Sequence, residues 1–164
     1  PSGQALDDLF LRPLGCTRDD AWLCDLVPHS CMNPKQELAL KREYDPKREE
    51  LGLPAYDWPK LPDVLANEVR RSEIEAELVA SCAELVVTLG DLPLKWFASH
   101  YGTKTQLSAY GQTTAEYGNR HSFIVAKREL QLLPLVHPRQ AARLGTHSSN
   151  WAELHEEWVR RQPI

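Results

Sequence analysis

The stretch "LQLLPLVHPRQAARLG", residues 130–145, decides the fold prediction. Its apolar run is typical of strands covered on both faces, and it predicts a buried strand from Leu132 to Val136. The run ends at His137-Pro138, where the proline removes a backbone donor and restricts the residue before it. Two interpretations stay open: a strand-end histidine without a role, and an active-site histidine at the mouth of a parallel sheet.

Other strands and helices are predicted to alternate along the chain. The segments "AWLCDLVP" (21–28), "AELVVTLG" (83–90) and "HSFIVAKR" (121–128) predict further strands. Helical patterns start at Ser2 and occupy residues 62–81, 91–102 and 150–161. This alternation predicts an α/β fold: three α/β/α layers around a central, mainly parallel four-stranded sheet.

Length and charge limit the classes of function. The chain has 164 residues and a net charge of −4, from 19 basic and 23 acidic residues. The length predicts one domain, and the charge argues against a strongly basic nucleic-acid coat. A DNA enzyme with a local basic patch stays compatible with this charge. With no apolar run long enough for a membrane span and no sign of secretion, we expect a cytoplasmic protein without a membrane partner.

Polar residues close three of the predicted strands. Asp25 lies near the end of the first, Gly90-Asp91 ends the second, and His137 ends the last. Ligands of open parallel sheets bind beyond the carboxyl ends of the strands, so these side chains are expected at one rim. Asp25 also fits a solvated acid, and Asp91 fits the cap of the next helix better than a site residue.

Three ordered stretches resemble the uracil-DNA glycosylase superfamily, nearest its family 4 branch. They are residues 1–28, "AELVVTLGDLPLKWF" (83–97) and "LLPLVHPRQAARLGTHSSNWAELHEEWV" (132–159). The last is similar to the closing motif of that family, which comprises a strand, His-Pro, a DNA-inserting loop and a final helix. The resemblance covers nearly the whole chain.

The resemblance implies cleavage of the N-glycosidic bond of a damaged base that is flipped out of DNA. The position of His137 matches the histidine that donates a hydrogen bond to the departing base and stabilises its negative charge. The loop from Arg139 to Leu144 matches the segment that enters the minor groove, with Leu144 or Arg143 as the wedge. The implied DNA-binding residues are Pro138, Arg139, Gln140, Arg143 and Leu144.

One departure from the family concerns recognition of the base. The family reads uracil with an asparagine where this chain has Asp25. An ionised carboxylate accepts hydrogen bonds but cannot donate one to the uracil O4. Either Asp25 is protonated, or the base is not plain uracil, or Asp25 has another role such as water activation.

A second departure concerns the start of the domain and its cofactor. The water-positioning motif of the family is expected just before Pro1, so we expect a single domain over residues 1–164 that lacks its N-terminal strand and first motif. Cys31 and Cys82 do not fall in the register of the family 4 iron–sulfur ligands, and Cys24, His29 and Cys31 lack the paired spacing of zinc sites. We therefore expect no metal and no cofactor.

Three functions follow as hypotheses. The first is a DNA repair glycosylase that acts as a monomer on single- or double-stranded DNA with a deaminated base. The intact protein is expected to be a hydrolase, and this chain is expected to lack the water-activating motif. The second is a non-catalytic module of the same fold that binds DNA or a nucleotide. The third is a small-molecule hydrolase without affinity for DNA.

Overall fold

The computed structural model of the protein describes residues 2–29, 31–54, 59–60, 62–144 and 149–162. The chain divides into two compact units. The first comprises Pro1–Leu23 and Glu73–Ile164, and the second comprises Cys24–Ser72. The single domain expected over residues 1–164 stays a prediction.

The second unit contains short helices with little buried surface. Helix α2 (Pro34–Glu43) begins with a capping box, in which the Asn33 side chain accepts from Gln36 N at 3.0 Å and Gln36 Oε1 accepts from Asn33 N at 2.9 Å. Helix α3 (Asp45–Glu50) follows at once, and neither helix has a buried residue. These helices therefore depend on local hydrogen bonds more than on a core.

The first unit is built around a sheet of three strands. They are β1 (Leu85–Leu89), β2 (His121–Val125) and β3 (Arg128–Leu135), in the order β1-β3-β2. Strand β1 runs parallel to β3, whereas β2 is antiparallel to it. The mixture of helices and sheet agrees with the predicted α/β class. The prediction of four mainly parallel strands is wrong for the described residues, which form a three-stranded mixed sheet.

Strand β3 is central because it is apolar on both faces, and Leu132 to Val136 are all buried as predicted. Pro134 fits this central strand for a reason of register. Gln131 N donates to Glu84 O on the β1 side, so the backbone nitrogens at 132, 134 and 136 face the β2 side. The last β2 pair is His121 with Leu132, and the missing N–H of Pro134 therefore costs no ladder hydrogen bond.

Helices pack against the sheet within the first unit. The chain starts with α1 (Ser2–Leu6), a π-helical segment (Asp7–Leu11) and a 3₁₀ turn (Arg12–Leu14) that Gly15 ends. Helix α5 (Asp91–Tyr101) contacts β1 and β2, while α6 (Pro138–Ala141) and α7 (Ser149–Arg161) follow β3. The apolar core joins β3 to these elements through Phe10, Leu94, Phe97, Leu154 and Trp158.

Helix α4 (Glu68–Ala80) is shorter than predicted, because the residues from Pro62 to Asn67 form bends instead of its first turns. The Asn67 side chain accepts from Arg70 N at 3.0 Å, as a capping residue does. None of the helices among the described residues combines the length and the apolar character that a membrane crossing requires.

The segment predicted as the first strand, residues 21–28, is not a strand. Trp22 and Leu23 are more than half exposed, and Asp25 is exposed as well. A strand must satisfy its backbone groups with a neighbouring strand, whereas here the Asp25 carbonyl accepts from Arg70 Nε at 3.1 Å and from its Nη2 at 2.8 Å. An apolar run without a partner strand stays irregular.

Candidate functional site

His137 lies two residues beyond β3 and is exposed. Its extended backbone (φ −66°, ψ 141°) places it directly before α6 in the capping position. Its Nδ1 accepts from Arg139 N at 3.2 Å, and its own backbone N donates to Gln140 Oε1 at 3.4 Å. The sequence prediction of a histidine delivered by a strand end and followed by a stiff turn is confirmed in position.

The contact with Arg139 N decides which ring nitrogen of neutral His137 carries the proton. A backbone N–H can only donate, so Nδ1 must be the acceptor and lacks a proton. The proton of the neutral ring is then on Nε2. A neutral imidazole held in this tautomer is a hydrogen-bond donor of the kind that stabilises developing negative charge.

The carboxyl ends of β1 and β3 meet beside His137. Gly90 N donates to Leu135 O at 2.8 Å. Gly90 has φ +92°, and a Cβ on it would stand 3.1 Å from the His137 Cβ. Only glycine combines this conformation with such a close approach. The expected meeting of the Gly90 and His137 strand ends is therefore confirmed.

Asp91 has a structural role, but it is not the capping residue of α5. It is the first residue of α5, which has Gly90 in the capping position. Its Oδ1 accepts from Leu107 N at 3.0 Å, and it thereby fastens the loop that follows α5. The sequence interpretation that Asp91 is more structural than catalytic agrees with this bond, although the partner is a loop and not the start of the helix.

The residues predicted to contact DNA form a compact turn after His137. Pro138 is buried, Arg139 is exposed, and Gln140 is half-buried. Leu144 N donates to Arg139 O at 2.8 Å and closes the turn. The structure thus brings these residues together with His137, and their contacts with DNA stay predictions.

Arg143 forms an ion pair within the protein. It adopts a left-handed conformation, with φ +54°. Its guanidinium forms an ion pair with Glu156 of α7 at 2.9 Å, and both side chains are about half exposed. Arg143 would have to exchange this carboxylate for a phosphate in order to bind DNA.

Asp25 is not at a strand end, which corrects the basis on which it was predicted to share a rim with His137. It lies on exposed coil in the second unit. The rim prediction required a strand through residues 21–28, and that strand is absent from the described residues. The base-binding role of Asp25 stays a prediction that rests on the family resemblance alone.

Tyr117 and His155 were not singled out by sequence, yet they form a buried polar pair that contacts the end of β3. Tyr117 Oη lies 2.8 Å from His155 Nδ1 and accepts from Val136 N at 3.1 Å. Each residue is only 1% exposed. Burial raises the pKa of Tyr117 and lowers that of His155 to about 4. The available signal was a histidine within the apolar face of α7, between Trp151 and Trp158.

Within the residues that the structure describes, no group of three or more His, Cys, Asp or Glu side chains is placed to hold a metal ion.

Comparison with known proteins adds no family assignment. No protein-family model matches the chain, and no curated protein sequence matches it. The resemblance to the uracil-DNA glycosylases therefore remains a hypothesis drawn from the residues of this chain.

Proposed function

We propose that this chain is a DNA-glycosylase-like domain in which His137 stabilises the departing base. The observation that carries the proposal is the ring geometry of His137, whose Nδ1 is occupied by Arg139 N. The proton of the neutral ring therefore resides on Nε2. A base that leaves deoxyribose takes the bonding electron pair with it, and an N–H donor lowers the energy of the resulting anion.

The surroundings of His137 support this role. The residue stands at the carboxyl ends of two parallel strands, where ligands of such sheets bind. The exposed Arg139 follows at once and provides a positive charge for a phosphate. We also propose that the partner is DNA and that Asp25 contacts the base. The proposal further includes a monomeric protein in the cytoplasm, with three α/β/α layers around the sheet.

Base release from DNA tests the proposal directly. Oligonucleotides that carry uracil or another deaminated base are incubated with the protein, and the abasic product is measured. We expect release by the wild type and a loss of about 100-fold or more in His137→Ala, in the range measured when one preorganised donor is removed. His29→Ala is the matched control because His29 is an exposed histidine of the second unit.

A folded protein that releases no modified base under any condition contradicts the proposal. Equal rates for His137→Ala and the control would remove His137 from the mechanism even if release occurs.

A binding module without catalysis is the second candidate. It is favoured by the position of Asp25 on exposed coil. Excision of one particular base needs a recognition residue that is held rigidly, whereas binding to the DNA backbone does not. Salt-dependent DNA binding by the folded chain without base release supports this candidate. A third possibility, a small-molecule hydrolase, predicts no DNA binding even at low salt.

A further inference from the structure

A buried chain of hydrogen bonds joins the last helix to the end of the central strand. Val136 N donates to Tyr117 Oη at 3.1 Å, and Tyr117 Oη lies 2.8 Å from His155 Nδ1. On the other side of the ring, His155 Nε2 lies 2.9 Å from Leu9 O. The chain thus connects the residue before His137 with α7 and with the π-helical segment near the start of the protein.

The direction of each bond follows from the groups involved. The Val136 N–H and the Leu9 carbonyl can act only as donor and as acceptor, respectively. The Tyr117 hydroxyl accepts from Val136 and has one proton left, which it donates to His155 Nδ1. His155 Nε2 then carries the ring proton and donates it to Leu9 O. Every member is satisfied only when His155 is neutral.

The end of β3 needs this support because β2 does not reach it. The β2 ladder stops at the pair of His121 with Leu132, while Val136 N faces the same side of the strand. The Tyr117 hydroxyl occupies the place where a longer β2 would offer a carbonyl. Gly90 N holds the opposite side through Leu135 O. His137 therefore follows a strand end that is fixed from two directions.

Close packing fixes the positions of the Tyr117 and His155 side chains. The His155 ring lies 4.3 Å from the Phe10 ring and 5.1 Å from the Trp158 ring, measured between centroids. Trp158 also packs against Gly118, where a Cβ would collide with the indole. Tyr117 and His155 have little freedom to choose other partners.

We infer that Tyr117 and His155 are a pair of positioning residues that fix Val136 and thereby orient the His137 side chain. The inference rests on the proposed function only for what His137 does to a substrate. Its geometric content concerns the free protein. Loss of the Tyr117 hydroxyl leaves a buried amide unsatisfied and lets the strand end shift.

The test compares Tyr117→Phe with a core variant at a residue whose side chain cannot form a hydrogen bond to the strand end. Phe97→Leu serves as this control, since Phe97 packs against Phe123 and Tyr101. Nuclear magnetic resonance of the free protein gives two readouts: exchange of the Val136 amide and the pH titration of the His137 ring nitrogens. Stability is measured in parallel, so that the two variants are compared at equal fractions folded.

In Tyr117→Phe we expect the Val136 amide to exchange about tenfold faster, as the loss of one hydrogen bond predicts. We also expect the midpoint of the His137 titration to move, while Phe97→Leu leaves it in place. Unchanged His137 signals in Tyr117→Phe, or the same change in both variants, would overturn the inference.

His155→Gln provides a second variant if Tyr117→Phe does not fold. Glutamine keeps one acceptor for Tyr117 and one donor for Leu9 O, and it should preserve the His137 signals. His155→Leu removes both and should alter them; the same His137 signals in both variants would refute the pair.

Base-release kinetics separate this inference from the proposed function. A positioning role predicts a lower rate of release by Tyr117→Phe at unchanged DNA affinity. If the wild type releases no base while its His137 signals respond to Tyr117→Phe, the positioning pair stands and the proposed function fails. If release occurs and Tyr117→Phe affects neither its rate nor the His137 signals, the positioning pair fails.

Discussion

Gly90 is where a single methyl group would disturb the site. Its φ of +92° lies in a region that side chains avoid, and its Cα faces the His137 side chain. The backbone conformation and the close contact are separate constraints. Gly102 shares only the first, since it has φ +68° and nothing within 4 Å of a built Cβ.

Gly90→Ala should therefore destabilise the protein more than Gly102→Ala. The positive φ alone costs about 1–2 kcal/mol at Gly102. At Gly90 the backbone cost is about 1–3 kcal/mol, and crowding against His137 adds to it. Denaturant unfolding of both variants measures the difference. Equal losses of unfolding free energy would mean that the strand end yields to the added methyl group.

His155 predicts a specific dependence of stability on pH. Its pKa is lowered by burial from 6.5 to about 4 in the folded chain, and among the described residues Tyr117 and Glu156 are titratable groups that interact with it. The unfolded state therefore binds the proton more readily. Neutral His155 therefore contributes about 3 kcal/mol to the free energy of unfolding. This contribution is complete above about pH 6.5 and is lost as the pH falls towards 4.

Denaturant midpoints measured from pH 8 to pH 4 check this expectation. His155→Gln cannot titrate and should flatten the part of the profile between pH 6.5 and 4. An identical slope in wild type and His155→Gln would show that other groups cause the loss.

At the scale of elements, the ion pair between Arg143 and Glu156 joins the turn after His137 to α7. An exposed pair of this kind adds little stability. Its effect is instead to occupy an arginine that is predicted to contact DNA. Binding of a phosphate must compete with the Glu156 carboxylate.

Glu156→Gln should tighten DNA binding and steepen its dependence on salt. One additional phosphate contact changes the slope of log K against log salt by about 0.9 for duplex DNA. Fluorescence anisotropy at several salt concentrations measures both quantities. Glu157→Gln is the control, because Glu157 pairs with Arg160 on the same helix. Equal affinities of the two variants would place Arg143 outside the DNA contact.

Elements that depend on local pattern were predictable from sequence, and those that need a partner were not. The apolar runs predicted as strands at residues 83–90 and 132–136 lie largely within β1 and β3, and α5 ends at Gly102 as expected. The run over residues 21–28 is also mainly apolar, but among the described residues it pairs with no strand. Periodicity shows which residues can be buried, whereas pairing depends on chain that is distant in sequence.

The candidate site also combines features that local sequence predicts with features that depend on residues distant in sequence. His137 was predicted from the His-Pro that ends an apolar run, which is a local signal. Tyr117 lies 38 residues before His155 in the sequence, so no local spacing connects the two. The strand expected to carry Asp25 is not formed, because it needed a partner strand, and the base-binding role of Asp25 stays a prediction.

The whole molecule combines a well-packed unit with a sparsely packed one. The first holds the sheet and the aromatic core, while α2 and α3 of the second contain no buried residue. Local opening requires less free energy where few apolar contacts must be broken. The two units should consequently differ in local stability.

Hydrogen exchange measured by mass spectrometry should show this difference. The backbone amides of α2 and α3 are expected to exchange orders of magnitude faster than those of β3 under native conditions. The helix α5 is the internal control, since it is also helical but buries Leu94, Phe97 and Ala98. Protection of α2 and α3 equal to that of α5 would contradict the expectation.

The bond between Tyr117 and His155 also sets an order of events during translation. The ribosome makes Tyr117 and all of β3 before it makes His155. At about 5–20 residues per second, His155 follows His137 by roughly one to four seconds. Until then the Tyr117 hydroxyl has no imidazole to donate to. A nascent chain thus contains His137 before it contains His155, whose imidazole completes the hydrogen bonds that fix the end of β3.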